Sequence, residues 1–171
     1  MPTAQFLPVN LNHVALASAD YRRGRAVTPI YQRLPAQSMW VNGDETSLYR
    51  VVCNLLENAQ EASERCDRQP VELTVQSTDS HLSIVIADRG PGFAEHALVA
   101  GIPFLPNYTT KVNNGFLRGL GLGLFVSRAV VELHGGTIRL QNRVGGGAVV
   151  TVMLPKLINY ADDWDAKLDG A

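Results

Sequence analysis

The sequence predicts an α+β domain, and three observations carry that prediction. A segment of about 44–66 has the period of a helix with one apolar face. Two pairs of segments alternate like strands around short turns, and an almost wholly apolar helix over 123–133 separates the two pairs. The four strands are expected over 71–77, 82–87, 137–142 and 148–154, with turns at 78–80 and 145–147.

Shorter elements precede the long helix. A helix is expected over about 11–23, and the β-type residues of 25–34 predict one or two strands. A short strand is expected over 39–41, followed by a turn at Asn42-Gly43. Asp44 then has the side chain and the position of a helix N-cap.

The long helix has two distinct faces. One face carries Asn54, Glu57, Asn58 and Glu61 at positions i, i+3, i+4 and i+7. A solvated helix face usually carries Lys and Glu, and Asn is a mediocre helix former. This face is therefore a candidate binding surface, with an ordinary polar face as the alternative. The apolar face is formed by Leu48, Val52, Leu55, Leu56, Ala59 and Ala62.

Composition excludes several classes of function. The chain has 171 residues, 46% hydrophobic, which suits one domain with a real core. Fifteen Lys and Arg against sixteen Asp and Glu give a net charge of −1, so no basic field favours nucleic acid. No apolar run approaches the roughly 20 residues that cross a bilayer, and no signal peptide is visible. We therefore expect a cytoplasmic domain without nucleic-acid or membrane contact, although a longer parent protein can be membrane-anchored.

The segment 93–118 is expected to be a loop of unusual length. It shows no clear periodicity and is rich in Gly, Pro and Asn, and such loops in compact domains are usually functional or disordered. Residues 97–130 contain no Asp or Glu, whereas Lys111, Arg118 and Arg128 are basic. An acid-free loop ahead of a glycine-rich helix start suits a polyphosphate. We expect this segment to act as a lid.

Two glycine-rich motifs flank that loop. Asp88 ends a strand ahead of Gly90 and Gly92, so its carboxylate can accept a hydrogen bond from an exocyclic amine such as that of adenine. The two glycines let the backbone approach a flat ring, although such sequences also form ordinary turns. The segment 119–124 offers free N–H groups and a helix dipole to an anion. It matches neither a dinucleotide fingerprint nor a P-loop, and close helix packing is its alternative reading.

The asparagine face completes the set. An amide oxygen can ligate Mg²⁺ without adding charge to a site that already holds a triphosphate, and Mg²⁺ is usually held by few protein ligands. The three elements occur in order along the chain, with the basic loop between the second and the third. Together they predict binding of Mg-ATP.

These motifs resemble those of the catalytic ATP-binding domain of sensor histidine kinases, within the wider group that includes DNA gyrase, Hsp90 and MutL. Pro103-Phe104 followed by Tyr108-Thr109-Thr110-Lys111 resembles the F box and the Thr-Thr-Lys of nitrogen-regulator-type kinases. Residues 146–155 resemble the closing strand of the family. The resemblance covers roughly residues 40–155. Residues 54–59 match the N box of the family, 88–92 the G1 box and 119–124 the G2 box.

The resemblance implies a two-layer α/β sandwich, the Bergerat ATP-binding fold. In that fold a mixed sheet is covered on one face by three helices, and ATP lies between helices under a mobile lid. It implies a single ATP-binding domain over 1–157, with its core at about 40–155 and its lid at about 93–118. The acidic segment 158–171 is then expected to be a flexible tail.

The family also implies a role for each motif residue. Asn58 is the expected Mg²⁺ ligand, Asn54 a phosphate or metal contact, and Glu57 a catalytic helper that acts as base or as orienter. Asp88 is expected to read the adenine amine in a pocket shaped by the glycines at 90 and 92. The remaining nucleotide contacts are expected from Gly119, Leu120, Gly121, Leu122, Gly123 and Leu124, and on the lid from Phe104, Thr109, Thr110, Lys111 and Arg118.

The chain departs from the family pattern at three places, one of which is the unusual lid insert Leu105-Pro106-Asn107. Some members carry a lysine one turn after the metal asparagine, where this chain has Glu61 and Ala62. Lys111 and Arg118 are the expected substitutes for phosphate neutralisation. In the last strand, Ala148 and Val150 replace the Thr and Phe that are often present, which removes a supporting adenine contact.

The leading hypothesis is a kinase domain that transfers the γ-phosphoryl group of ATP to a histidine on a separate dimerisation domain. A response regulator is then an indirect partner. Three alternatives stay open: a related anti-sigma-type serine kinase, a gyrase- or Hsp90-like ATPase in which Glu57 activates water, and a degenerate module that binds a partner without turnover. The Thr109-Thr110-Lys111 and Pro103-Phe104 motifs favour the first.

The histidines of this chain do not resemble a phosphoacceptor. In the family that histidine is typically followed by Glu or Asp, whereas His13, His81, His96 and His134 precede Val, Leu, Ala and Gly. They are expected instead on a helix surface, at a strand start, in the lid and at a helix C-terminus. At the last position Gly135-Gly136 forms the cap, and the helix dipole favours a charged imidazolium.

Overall fold

The computed structural model describes residues 6–67, 69–108, 112–113, 116–117 and 121–157. The strands are β1 (Leu7–Asn10), β2 (Ile30–Arg33), β3 (Trp40–Gly43), β4 (Val71–Ser77), β5 (His81–Ala87), β6 (Val112–Asn113), β7 (Phe116–Leu117), β8 (Thr137–Asn142) and β9 (Ala148–Pro155). The helices are α1 (Leu11–Arg23), α2 (Glu45–Glu64), α3 (Glu95–Val99) and α4 (Gly123–Leu133), with a 3-10 turn at Ile102–Phe104.

Five strands form the central sheet in the order β2-β4-β5-β9-β8. The pair β2–β4 is parallel and the other pairs are antiparallel, so the sheet is mixed. Alternate residues of β4 and β5 point into one apolar core, and α1, α2 and α4 supply the other layer. The α+β class and the two predicted hairpins are confirmed, as are the helices at 11–23 and 123–133. No described helix is long and apolar enough to cross a membrane.

The predicted turn at Asn42-Gly43 is wrong. These two residues end β3, which pairs antiparallel with β1 so that Gly43 lies opposite Leu7. Gly43 is also packed so closely against His134 that a Cβ there would lie 2.6 Å from the imidazole Cδ2. The glycine therefore serves this packing and not a turn. The pairing was not visible in the local pattern because β1 lies about thirty residues earlier in the chain.

Asp44 caps α2 as predicted. Its Oδ2 accepts a hydrogen bond from the Ser47 backbone N–H at 3.1 Å and another from the Ser47 hydroxyl. The hydroxyl hydrogen bond is the main reason why the pKa of the Asp44 carboxyl lies below its ordinary value. The first turn of the helix that carries the asparagine face is thereby fixed.

We predict that Asp44→Ala lowers the free energy of unfolding by about 1 kcal/mol, the typical value of an N-cap. Because the pKa is lowered in the folded state, this stability is present above the ordinary aspartate pKa and is lost as pH falls through the lowered value. Urea unfolding at neutral and acidic pH measures both effects. Asp79→Ala, in the exposed β4–β5 turn, is the control, and an equal loss in the two variants at neutral pH would contradict the capping role.

His134 ends α4 as predicted, but the expected charged imidazolium is wrong. The side chain is 8% exposed and stacks on Phe6 with ring centroids 4.5 Å apart. Its Nδ1 donates to the Val130 carbonyl at 2.7 Å, and its Nε2 accepts the Asp44 backbone N–H at 3.0 Å. A ring nitrogen that accepts an N–H carries no proton, so the imidazole is neutral. This tertiary contact outweighs the helix dipole, and it joins the end of α4 to the start of α2.

The segment 93–118 contains more structure than the sequence pattern indicated. It begins with α3 and the 3-10 turn, where Pro103 is buried, and the short strands β6 and β7 pair further along. The segment therefore begins with helical turns. These turns are too short to produce a recognisable periodicity in the sequence. The expectation of a flexible tail falls on 158–171, which lie outside the described residues.

Candidate functional site

The asparagine face of α2 meets the first turns of α4. Asn54 Nδ2 donates to the Ser127 hydroxyl at 3.1 Å. A Cβ at Gly123 would overlap the Asn54 Oδ1, so only glycine permits this approach. Four residues of α-helix turn through about 400°, which places Asn58 about 40° from Asn54 on the same side of α2. The amide of Asn54 thus lies at the start of α4, and that of Asn58 is on the same side of α2 one turn further along.

Glu57 lies on a different side of α2. Its Oε1 pairs with Arg22 Nη1 of α1 at 3.2 Å, and its side chain is 47% exposed. One residue of α-helix turns through about 100°, so Glu57 and Asn58 diverge, one toward α1 and the other toward the α4 side. The role predicted for Glu57, as base or as orienter, stays a prediction.

Sequence reasoning missed Arg22. Its side chain is 11% exposed, and its Nε donates to Gln60 Oε1 at 3.0 Å. Gln60 is fully buried and donates in turn to the Thr28 carbonyl at 2.8 Å. A buried arginine requires such partners. The one available signal was Gln60, a polar residue on the inner part of an otherwise apolar helix face.

Asp88 lies at the end of β5 and is 5% exposed. Its Oδ1 accepts the Gly90 N–H at 2.8 Å and the Ala148 N–H at 3.2 Å. Burial raises the pKa of this carboxyl, although these two hydrogen bonds and the charge of Arg143 act in the opposite direction. Within the described part of the chain both side-chain hydrogen bonds of Asp88 use Oδ1. The other oxygen, Oδ2, could accept the N–H of a ligand.

The backbone around Asp88 is packed too closely for side chains. A Cβ at Gly90 would lie 2.6 Å from the Ala62 Cβ of α2, and a Cβ at Gly147 would overlap the Asp88 carbonyl. Gly92 has a φ of +73°, which glycine adopts at little cost. Ala62, at one of the two positions where some family members carry lysine, is thus the residue on which the loop at 88–92 rests.

The loop base and the start of α4 lie close together. Phe104 is half-buried, and the Arg128 guanidinium carbon is 5.3 Å from its ring centroid. Gly121 has a φ of +64°, and a Cβ there would lie 2.6 Å from the Asn107 carbonyl carbon. Leu122 is the N-cap residue of α4, and Leu124 packs against the core. The predicted contacts Thr109, Thr110, Lys111, Arg118, Gly119 and Leu120 lie outside the described residues.

The donor set suits a hard cation bound together with phosphates. Among the described residues there is no group of three or more His, Cys, Asp or Glu that could hold a metal. The amides of Asn54, at the start of α4, and Asn58, one turn along α2, could instead supply neutral oxygen ligands. This is the chemistry expected for Mg²⁺, which keeps much of its shell from water and phosphate oxygens.

Comparison with known proteins agrees with this geometry. Residues 43–158 match the family described as histidine kinase-, DNA gyrase B- and HSP90-like ATPase. The chain is 34% identical over 143 residues to the C4-dicarboxylate transport sensor protein DctB of Pseudomonas aeruginosa, which covers 82% of this chain and 22% of that protein. It is 35% identical over 126 residues to the histidine protein kinase DivJ of Caulobacter vibrioides, covering 73% of this chain and 20% of that protein. The chain thus spans about a fifth of these relatives.

Solved structures show the same fold. A mycobacterial sensor histidine kinase MprB structure has a TM-score of 0.73 and 27% identity, covering 88% of this chain and 97% of that one. The catalytic domain of histidine kinase ThkA in a nucleotide-free form has a TM-score of 0.74 and 25% identity, covering 88% of this chain and 95% of that one. Both neighbours match nearly their whole length.

Proposed function

The chain belongs to the family of histidine kinase-, DNA gyrase B- and HSP90-like ATPases, and from that membership we propose its specific activity. It is the Mg-ATP-binding kinase domain of a two-component sensor histidine kinase. It donates the γ-phosphoryl group to a histidine on a separate dimerisation domain. Through that domain it acts indirectly on a response regulator. The observation that carries this proposal is the buried Asp88, fixed through one oxygen beside α2, together with Asn54, which contacts α4, and Asn58 one helical turn further along α2.

Each side chain has a defined task in this proposal. Asp88 Oδ2 accepts the adenine amine, and Gly90 and Gly92 let the ring lie against the backbone. Asn58 and Asn54 hold the cation and the phosphates beside the N-terminus of α4, whose N–H groups face the anion. Mg²⁺, when bound, would neutralise part of the phosphate charge. The histidine nitrogen forms a bond to the γ-phosphorus while the bond to the β,γ-bridging oxygen breaks, so ADP leaves with the electron pair.

Two further assignments belong to the same proposal. The segment 93–118 forms a lid over the triphosphate. Lys111 and Arg118 neutralise the phosphate charge in place of the lysine that some family members carry one turn after the metal asparagine. Glu57 is the catalytic helper, as base or as orienter, and in either role its carboxylate has to leave the ion pair with Arg22 on the α1 side of α2.

We predict phosphoryl transfer in trans and little labelling in cis. The chain is incubated with γ-labelled ATP, alone and with a panel of histidine-bearing dimerisation domains. The expected label is on a matching histidine domain and is acid-labile and base-stable, as a phosphohistidine is. Such a label on this chain alone would contradict the donor role. Acid-stable label on a serine of a partner would indicate the serine kinase, and release of phosphate without an acceptor would indicate the ATPase.

A further inference from the structure

One carboxamide holds the start of the segment 93–118. Asn142, the last residue of β8, accepts the Phe93 backbone N–H through Oδ1 at 2.8 Å. Its Nδ2 donates to the Phe93 carbonyl, also at 2.8 Å. An asparagine side chain offers one acceptor and two donors in a plane. Here the amide group pairs with both the N–H and the carbonyl of Phe93, as the backbone of a neighbouring strand would. Phe93 is thereby attached to β8, an edge strand of the five-stranded sheet.

The same Nδ2 reaches α3. It donates to Glu95 Oε1 at 3.1 Å, in the first turn of that helix. Asn142 therefore sets both the position of Phe93 and the direction in which the chain continues into α3. Its side chain is exposed and fills no part of the core, so replacing it leaves no cavity.

The anchor lies next to the proposed adenine loop. A Cβ at Gly92 would lie 2.7 Å from Asn142 Oδ1, so the loop passes directly against this side chain. In the β8–β9 pair Asn142 is opposite Ala148, whose N–H donates to Asp88. One end of a single hairpin thus fixes the loop 88–93 at its first residue, through Ala148, and at its last, through Asn142.

We propose that Asn142 is a positioning residue for nucleotide binding, which acts through Phe93 and Gly92 by fixing the adenine loop and the start of the segment that follows it. The inference rests on the proposed function, since it assigns the loop to adenine. Without the anchor, binding must first order the segment that follows the loop, and this lowers affinity. Once ATP is bound, the reacting groups on α2 and α4 are unchanged. The effect therefore falls on the dissociation constant and KM and spares kcat.

The experiment compares Asn142→Asp and Asn142→Ala with the wild-type chain. The first keeps the acceptor for the Phe93 N–H but turns an oxygen toward the Phe93 carbonyl and the Glu95 carboxylate. We expect faster amide hydrogen exchange at 93–101 in both variants without nucleotide, with unchanged protection in α2 and β5. We expect affinity for ATP about tenfold weaker, which is about 1.4 kcal/mol, and kcat with a histidine domain within about twofold of wild type.

Two controls make the result specific. Asn42→Asp introduces the same charge at an exposed position of β3 and is expected to change neither exchange nor affinity. Adding Glu95→Gln to Asn142→Asp supplies an amide donor at α3 and is expected to recover part of the affinity.

Unchanged exchange at 93–101 in Asn142→Ala would overturn the proposal, and so would protection lost equally throughout the domain. A loss of kcat without a change in KM would overturn it as well. If the wild-type chain does not bind ATP, the proposed function fails, whereas the exchange comparison still decides whether Asn142 anchors the segment.

Discussion

Asp88→Asn is expected to lower affinity for ATP at least about tenfold while the fold stays intact. A hydrogen bond to a charged group contributes on the order of 1.5–3 kcal/mol. The asparagine oxygen has to stay at the Oδ1 position to accept the Gly90 and Ala148 N–H groups. Its NH₂ group then replaces Oδ2, so a donor faces the adenine amine, which is also a donor.

Stability is expected to respond in the opposite direction. Because burial raises the pKa of Asp88 in the folded protein, its contribution to stability is full below the ordinary aspartate pKa and is lost as pH rises through the raised value. Asp88→Asn removes that loss and should leave the thermal midpoint at neutral pH equal or higher. In the wild type, ATP affinity should fall as pH drops through the raised pKa, because Oδ1 accepts two backbone N–H groups and the proton therefore goes to Oδ2, which then faces the amine as a donor.

Calorimetric titration with ATP and thermal unfolding measure these two effects on the same sample. Asp79→Asn, the same change in an exposed turn, is the matched control and should leave affinity unaltered. A folded Asp88→Asn variant that bound ATP as tightly as wild type would refute the adenine assignment.

Asn58→Ala is expected to abolish most phosphoryl transfer, by more than about 100-fold, which is the size of losing one preorganised charge-stabilising group. The helix should survive, because Asn58 lies away from the apolar face and Ala is the better helix former. Binding of ATP without Mg²⁺ should change little, since the proposed adenine contacts are made by Asp88, Gly90 and Gly92 and not by Asn58.

The measurement is transfer to a histidine domain together with ATP titrations in the presence and absence of Mg²⁺. The control is Asn42→Ala, on an exposed position of β3. Normal turnover of the Asn58 variant with Mg²⁺ would mean that another residue ligates the cation.

The sequence was sufficient where the interactions are periodic or local. The apolar face of α2, the cap at Asp44 and the alternation of β4 and β5 all follow from neighbours within a few residues, and the structure confirms them. The prediction at Asn42-Gly43 failed because β1 supplies a distant strand partner. The charge expected on His134 failed for the same reason, since the Asp44 N–H belongs to a helix about 90 residues earlier.

The same division holds for the candidate site. Asp88 and Asn54 stand in recognisable motifs, and in the structure Asp88 is hydrogen-bonded to Gly90 and Ala148 while Asn54 contacts the start of α4. Arg22 and Asn142 stand in none, and their partners are 35 and 49 residues away along the chain. Local pattern identifies the groups that face a ligand more readily than the groups that hold them in place.

The bond between His134 and Asp44 has a mechanical consequence. The helices α2 and α4 run antiparallel, tied at this bond, and meet again about ten residues along each helix, where Asn54 contacts Gly123 and Ser127. Ten residues of α-helix span about 15 Å. A tilt of one helix about the tied end therefore opens a gap at the other end that grows with this length. A rotation of about 4° would therefore move Asn54 and the start of α4 apart by about 1 Å, so a small change of angle at the His134 end becomes a change of distance at the Asn54 end.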